Sequence, residues 1–294
     1  MSTTVITKGQ PGSRALFRDS FVLHKLMSLT GVLPIGLFMA FHLVVNSYAL
    51  RGEAEFNTGA KAIGYLPFVQ IVEWAVIFIP IIFHSVYGFM ITAEMRQNIG
   101  VYQNTRNVLY TLQRWSGVVA FVYILLHVIS TTGMRWSYEL TGGPEGHELG
   151  FKAISYAGMV YRFASPAYLA LYIVGLLAAT FHLANGLFNF GIRWGITVGA
   201  TAQKVSAVIW AAMGVGLAFI GIWTAVNYHF VGKNFKGGGD IRAQYASLDD
   251  LVKHYGPVPV APGAPGSTPN GTTVEGGALN ATPTTGGMAT PSAQ

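Results

Sequence analysis

Five apolar runs, at about 24–50, 68–95, 110–134, 162–190 and 204–230, dominate this 294-residue chain. Each exceeds the roughly 18 residues that mark a membrane-spanning helix. Hydrocarbon offers no water to satisfy a backbone N–H or C=O, so a spanning segment must be a helix or part of a closed barrel. None of the five runs alternates apolar with polar residues as a barrel strand does, so each reads as a helix. The predicted fold class is therefore all-α, an integral membrane bundle of five transmembrane helices. The scarcity of charge agrees: 10% of the residues are charged, against roughly 25% in an average soluble domain. Pro80, inside the second run, predicts a kink.

The rest of the chain divides around this bundle. Residues 1–23 form a polar N-terminal segment without the pattern of a cleavable signal peptide, so the first span itself is expected to direct insertion. Residues 24–234 form the membrane domain. Residues 235–294 are rich in Gly, Pro, Ala, Thr and Ser ("PVPVAPGAPGSTPNGTT"), which cannot bury a core and reads as a disordered tail. Its NGT and NAT sequons read as chance matches in low-complexity sequence. The chain has no cysteine, which excludes a disulfide, an iron–sulfur cluster of its own and covalent c-type haem.

The net charge of +6 does not point to nucleic acid, because the basic residues flank the spans. Lys8, Arg14, Arg18, Lys25, Arg96, Arg106, Arg114, Arg193 and Lys204 lie on the N-terminal side of the bundle, nine in all. Arg51, Lys61, Arg135, Lys152 and Arg162 make five on the other side. Lys233, Lys236, Arg242 and Lys253 of the tail would erase the difference, but distant tail charges weigh less than short-loop ones. The N-terminus is expected in the cytoplasm.

Four of the five runs each contain a histidine: His42, His84, His127 and His182. A single histidine in an apolar helix is usually structural, but ionisable groups inside a membrane are costly and tend to mark function. At ~1.5 Å per residue, His42 and His127 lie about 24 and 21 Å from the cytoplasmic ends of their spans. His84 and His182, on spans of opposite direction, lie only about 15 and 14 Å from that side. This predicts an outer pair, His42 with His127, and an inner pair, His84 with His182. Two imidazoles facing each other at one depth are what bis-histidine haem ligation needs. Gly88 and Gly186 each follow an inner histidine by four residues, share its face and leave space for a porphyrin. Zinc would call for tetrahedral clustering with carboxylates or thiolates, which the sequence does not offer. The residues thus read as sites for two b haems, with proton-relay histidines of a transporter as the rival. Of the other histidines, His147, His229 and His254 read as interfacial or solvated. His24, near Arg14 and Arg18, is placed to meet a partner or a haem propionate.

At this point a resemblance applies. The stretches "LHKLMSLTGVLPIGLFMAFHLVVNSYALRGEAEFN", "LPFVQIVEWAVIFIPIIFHSVYG", "LQRWSGVVAFVYILLHV" and "FHLANGLFNFGIRWGITV" resemble the membrane cytochrome b subunit of succinate:quinone oxidoreductases. The nearest type is the single-chain, five-helix, di-haem anchor of bacterial succinate:menaquinone reductases, and the resemblance covers about residues 17–230. It implies that the axial ligands of the haem irons are His42, His84, His127 and His182. It also implies that a flavoprotein subunit carrying FAD and an iron–sulfur subunit dock on the cytoplasmic face of a bacterial inner membrane. Electrons from succinate would pass through the inner haem, then the outer haem, to menaquinone, and this chain would bind no succinate. One position departs: some fumarate-reducing relatives carry a glutamate two residues before the fourth ligand, where this chain has Thr180, which puts that proton path in doubt. The haem b subunit of a hydrogenase or formate dehydrogenase is the alternative within redox chemistry, although such subunits typically use fewer spans and other histidine arrangements.

Quinone reduction takes two protons with two electrons, so a carboxylate near the last haem is sought. Glu73 precedes His84 by 11 residues, which at ~100° per residue keeps it within about 20° of the same face and about 16 Å further out. Asn46, one turn outward from His42, approaches the same depth. Glu73 and Asn46 are therefore the expected quinone-site residues.

Overall fold

The computed structural model describes residues 21–64, 66–94 and 100–234. The expected disordered tail, with His254, and the basic residues Lys8, Arg14, Arg18 and Arg96 lie outside the described residues. Among those described, every regular element is helical. In chain order the longer ones are α1 (Phe21–Arg51), α2 (Glu53–Gly64), α3 (Val69–Glu94), α4 (Thr105–Thr141), α5 (Gly146–Ile154), α6 (Tyr156–Phe163), α7 (Pro166–Arg193) and α8 (Ala200–Asn234), with a short 3-10 turn, Gly143–Glu145, before α5. Helices α1, α3, α4, α7 and α8 are long and apolar enough to cross a membrane, matching the five runs in order. Their ends are written locally. Asn104 caps α4 by accepting from the Asn107 amide at 2.9 Å, and Ser165 caps α7 ahead of Pro166, whose missing N–H costs nothing at a first turn. Between α1 and α2 the chain turns at Gly52 with φ 120°, a conformation that a side chain would strain.

Three spanning helices contain a π turn: Gly31–Gly36 in α1, Glu73–Phe78 in α3 and Ile129–Gly133 in α4. Proline explains the first two, since its ring removes a donor and clashes with the carbonyl four residues back. Pro34 lies inside the first. Pro80 follows the second, and the carbonyl it cannot bond, that of Val76, lies within it. The irregularity expected at Pro80 therefore takes the form of a π turn just upstream. The third π turn holds no proline. There the hydroxyls of Ser130 and Thr131 donate to the carbonyl of His127 at 3.2 and 2.6 Å, the side-chain competition that loosens a helix ladder.

The centre of the bundle is α7. Its buried residues Tyr172, Leu176, Ala179, Thr180 and Leu183 recur at helical spacing. Lipid is as apolar as leucine, so burial alone does not draw these helices together; close packing of small residues does. Gly214 of α8 seats against Ala184, Gly221 against Leu176 and Leu43, and the ring of Tyr123 lies directly on Gly175. Large apolar side chains such as Leu37, Phe41, Ile82 and Phe219 face outward, as lipid-facing residues do. At the end of the bundle away from Phe21, α2 and α6 bring Phe56 and Tyr156 onto Tyr228 of α8, with ring centres 6.1 and 5.4 Å from it.

Candidate functional site

The four intramembrane histidines come together as two pairs. His42 of α1 faces His127 of α4, with ring centres 5.8 Å apart and ring planes at 77°. His84 of α3 faces His182 of α7 at 6.2 Å and 89°. Two imidazoles on opposite sides of one metal ion have ring centres roughly 6 Å apart, from about 2 Å per metal–nitrogen bond and about 1 Å from nitrogen to ring centre. Both pairs fit that requirement. Among the described residues no three His, Cys, Asp or Glu side chains converge as a metal cluster, so each pair stands by itself.

Each histidine of the expected inner pair lies in a cradle built by a neighbouring helix. The Nδ1 of His84 lies 3.0 Å from the carbonyl oxygen of Met27, and its ring rests on Gly31, where an added Cβ would stand 2.5 Å from Cε1. The Nδ1 of His182 lies 2.9 Å from the carbonyl oxygen of Gln113, and its ring rests on Gly117, where a Cβ would stand 2.8 Å from Cε1. A carbonyl can only accept, so Nδ1 carries the proton in both rings and Nε2 is left for a metal. The two cradles are versions of one device: a carbonyl at one position, and a glycine one turn later. In α4 the outer histidine follows the cradle glycine by ten residues, and in α1 by eleven. The π turn Gly31–Gly36 explains the extra residue, because i→i+5 bonding takes one more residue per turn.

Gly88 and Gly186 have a different immediate neighbourhood from the one expected of them. A Cβ on Gly88 would meet Met27 Cε at 3.3 Å, and one on Gly186 would meet Gln113 Nε2 at 3.5 Å. Each glycine therefore admits the residue whose carbonyl holds its own histidine. Gln113 is tied further: its Nε2 donates to the carbonyl of His182 at 3.0 Å and its Oε1 accepts from Asn185 at 2.7 Å.

The expected outer pair, His42 with His127, is supported by side chains instead. The Nδ1 of His127 lies 2.8 Å from the Tyr172 hydroxyl. Asn46 turns back onto His42, its Nδ2 donating to the His42 carbonyl at 2.8 Å and lying 3.3 Å from Nε2. Arg162 is held by the carbonyl of Ala153 at 2.8 Å and by the sulfurs of Met134 and Met159 at 3.4 and 3.8 Å.

Glu73 is bound in a way the sequence did not suggest. Both of its oxygens accept from Arg135, at 2.6 and 3.2 Å, in a fork-to-fork pair only 18% and 11% exposed. Arg135 also approaches Glu139 at 3.6 Å, and Glu139 accepts from Gln70 at 3.1 Å and lies 3.3 Å from His147. Beside this network Trp136 stacks on Trp74, ring centres 5.8 Å apart, and packs on Phe78. The indole N–H of Trp136 is buried with no hydrogen-bond partner among the described residues. The phase count that aimed Glu73 along the His84 face assumed 100° for every step. The π turn that begins at Glu73 advances less per residue, and so alters that alignment.

The remaining positions are plain. His24 Nδ1 lies 3.1 Å from the Tyr87 hydroxyl, and His229 Nδ1 lies 2.6 Å from the Phe163 carbonyl oxygen. Thr180 is buried, and its hydroxyl donates to the carbonyl of Leu176 at 2.7 Å.

Five apolar spans carrying two facing histidine pairs have the architecture of a membrane cytochrome b. No family model matches the chain. It is 38% identical over 202 residues to the succinate dehydrogenase cytochrome b558 subunit of Bacillus subtilis, an alignment covering 69% of this chain and 94% of that protein. The chain belongs to the succinate dehydrogenase cytochrome b subunits, multi-pass membrane components of an oxidoreductase.

Proposed function

We propose that the chain anchors a succinate dehydrogenase in a bacterial inner membrane and carries electrons across its own bundle to menaquinone. The observation that supports this most directly is the spacing of the two histidine pairs, 5.8 and 6.2 Å between ring centres on four different helices. Two b haems, one per pair, would supply one-electron carriers between the iron–sulfur clusters of a partner subunit and the quinone. Met27, Gly31, Gln113 and Gly117 orient the inner ligands and Tyr172 orients His127, while Asn46 would keep its bond to the His42 carbonyl and yield the Nε2 of that ring to the iron. Arg162, held by a carbonyl and two sulfurs with no carboxylate partner among the described residues, would meet the anionic carboxylates of the outer haem. The purified complex is expected to yield two haems b per chain by pyridine haemochrome assay, both reducible by succinate. One haem or none per chain refutes the reading.

The flavoprotein and iron–sulfur subunits would dock on the inner face, at segments 14–25, 96–114 and 193–204. Two contacts support treating their described parts as one surface. Lys25 donates to the Arg193 carbonyl at 2.6 Å, and Arg106 donates to Gln203 at 2.7 Å. The N-terminus then lies in the cytoplasm, as the charge count expects.

For the quinone we keep Glu73 and Asn46 and add their surroundings. A quinone ring fits the chemistry of the Trp74–Phe78–Trp136 cluster: flat aromatic faces, the unpaired indole donor and the Glu73–Arg135 pair at its edge. Glu73 would pass protons to the reduced quinone, while Asn46 fixes the His42 side of the outer site. Glu73→Gln keeps an acceptor for Arg135 but cannot carry a proton. It should leave both haems reducible by succinate while slowing quinone reduction by about 10²-fold or more, the usual scale of a lost general acid or base. Unimpaired turnover at full haem content sinks the assignment.

A further inference from the structure

A hydrogen-bond circuit runs on from Tyr172 beyond the contact with His127 described so far. His127 Nδ1 lies 2.8 Å from the Tyr172 hydroxyl, which lies 2.8 Å from the Tyr168 hydroxyl. Tyr168 in turn lies 3.2 Å from Ser130 Oγ, and Ser130 donates to the carbonyl of His127 itself at 3.2 Å. The path leaves His127 by its ring and returns to its backbone, closing across α4 and α7. Tyr172 is fully engaged in the core, packed against Phe163 with ring centres 4.6 Å apart, so its hydroxyl cannot swing to another partner.

Counting protons allows two senses, and the one in which Ser130 donates to the His127 carbonyl makes one hydrogen bond more than the other. Each hydroxyl has one proton to give, and a carbonyl has none. If Ser130 gives its proton to the His127 carbonyl, it must accept from Tyr168. Tyr168 must then accept from Tyr172, and Tyr172 from the His127 Nδ1–H. In this sense of the circuit Nε2 of His127 is a bare lone pair, open to a metal. In the reverse sense Ser130 donates to Tyr168, the protons run towards Nδ1, and Nε2 holds the hydrogen and is closed to a metal. The His127 carbonyl would still accept from Thr131 at 2.6 Å, so the backbone alone does not forbid the reverse sense. The inner ligands have no such choice, because carbonyls hold their Nδ1 protons.

We infer that the His127–Tyr172–Tyr168–Ser130 circuit selects the metal-binding tautomer of His127 and sets how strongly that imidazole donates, thereby tuning the potential of the outer haem apart from the inner one. This rests on the reading of His127 as a haem ligand. Tyr172, Tyr168 and Ser130 act as positioning residues, reaching the iron only through the ring they hold. An imidazole whose N–H is accepted by an oxygen is a more basic ligand, and the outer partners of a ligating histidine set both its tautomer and its basicity. Hydroxyls linked head to tail polarise one another, so even the far member of the circuit contributes.

The test uses the complete complex and three variants, Tyr172→Phe, Tyr168→Phe and Ser130→Ala, with Ser130→Thr as the conservative control. Haem content is counted by pyridine haemochrome, and the two midpoint potentials are read by redox titration with optical and low-temperature paramagnetic-resonance detection. Tyr172→Phe removes the acceptor of the Nδ1 proton, weakens the donor ligand and so disfavours the ferric state. The outer midpoint should rise and the outer ferric signal should move, while the inner haem keeps both. Tyr168→Phe and Ser130→Ala should shift the outer midpoint in the same direction by less, and Ser130→Thr should restore it. Should Tyr172→Phe fail to assemble, Ser130→Ala carries the comparison, since it removes one hydroxyl and leaves the ring packing intact. An outer haem present in full, with midpoint and signal unmoved in Ser130→Ala and Tyr168→Phe, overturns the circuit while leaving haem ligation standing. Absence of an outer haem from the unaltered complex overturns the ligand reading and the circuit with it.

Discussion

His182→Ala should abolish the inner haem and silence quinone reduction by succinate, and His84→Ala should do the same. Each ring is one half of the inner pair, 6.2 Å from the other, and the vacated cradle on Gly117 or Gly31 offers no replacement ligand. If electrons enter from the cytoplasmic face, the inner pair is the first station, so its loss isolates the outer one. Haem content should fall from two per chain to one, and the remaining haem should stay oxidised with succinate while dithionite still reduces it. His42→Ala and His127→Ala should give the mirror result: the outer haem lost, the inner one still reduced by succinate, and no electrons reaching the quinone. A ligand that binds only the folded chain also stabilises it, so the amount of chain in the membrane must be measured alongside. An inner-pair variant that kept the inner haem and lost the outer one would reverse the orientation of the whole molecule.

The bundle was legible because lipid leaves so few choices. Five long apolar runs fixed the number and order of the spans, and the observed helix ends fall within about four residues of the expected ones, except in α4. There the expectation stopped at 134, whereas the helix continues through "MRWSYELT" to Thr141, because a helix emerging into water keeps its own hydrogen bonds and needs no apolar signal. Helices α2, α5 and α6 were missed for a related reason: they have 12, 9 and 8 residues, too few to show a periodic pattern beside the long runs. The pairing of the histidines could be read because depth along a helix is simple arithmetic. What surrounds each ring could not be, because it depends on contacts between helices far apart in sequence. Gly31 and Gly117 carry a signal that spacing could have shown. Met27–Gly31–His42 and Gln113–Gly117–His127 are near-copies, but one unforeseen π turn offsets them by a residue. Tyr172 gave no such sign, since a tyrosine in an apolar helix looks like any other core aromatic.

Gly117→Val should cost the inner haem nearly as completely as removing its ligand, although both histidines remain. A Cβ at Gly117 would stand 2.8 Å from Cε1 and 3.1 Å from Nδ1 of His182, closer than carbon atoms can approach. The ring has little room to yield, because its Nδ1 is held by the Gln113 carbonyl one turn back on the same helix. Either that hydrogen bond or the helix contact must break, and overpacking of a tight core typically costs about 1–3 kcal/mol, roughly a fivefold to 150-fold loss of occupancy before the lost hydrogen bond is added. Gly31→Val should behave alike against His84, where the same Cβ would stand 2.5 Å from the ring. Gly88→Ala and Gly186→Ala provide the contrast. Their added methyls would meet the flexible end of Met27 at 3.3 Å and Gln113 at 3.5 Å, distances that small side-chain shifts can absorb. The ordering separates two accounts of these helices. If the cradle glycines matter most, the valine variants lose the inner haem spectroscopically while the two alanine variants keep it. If Gly88 and Gly186 are instead what makes room for the porphyrin, as their spacing from the ligands first suggested, Gly186→Ala alone should empty the inner site, and the cradle account would fall.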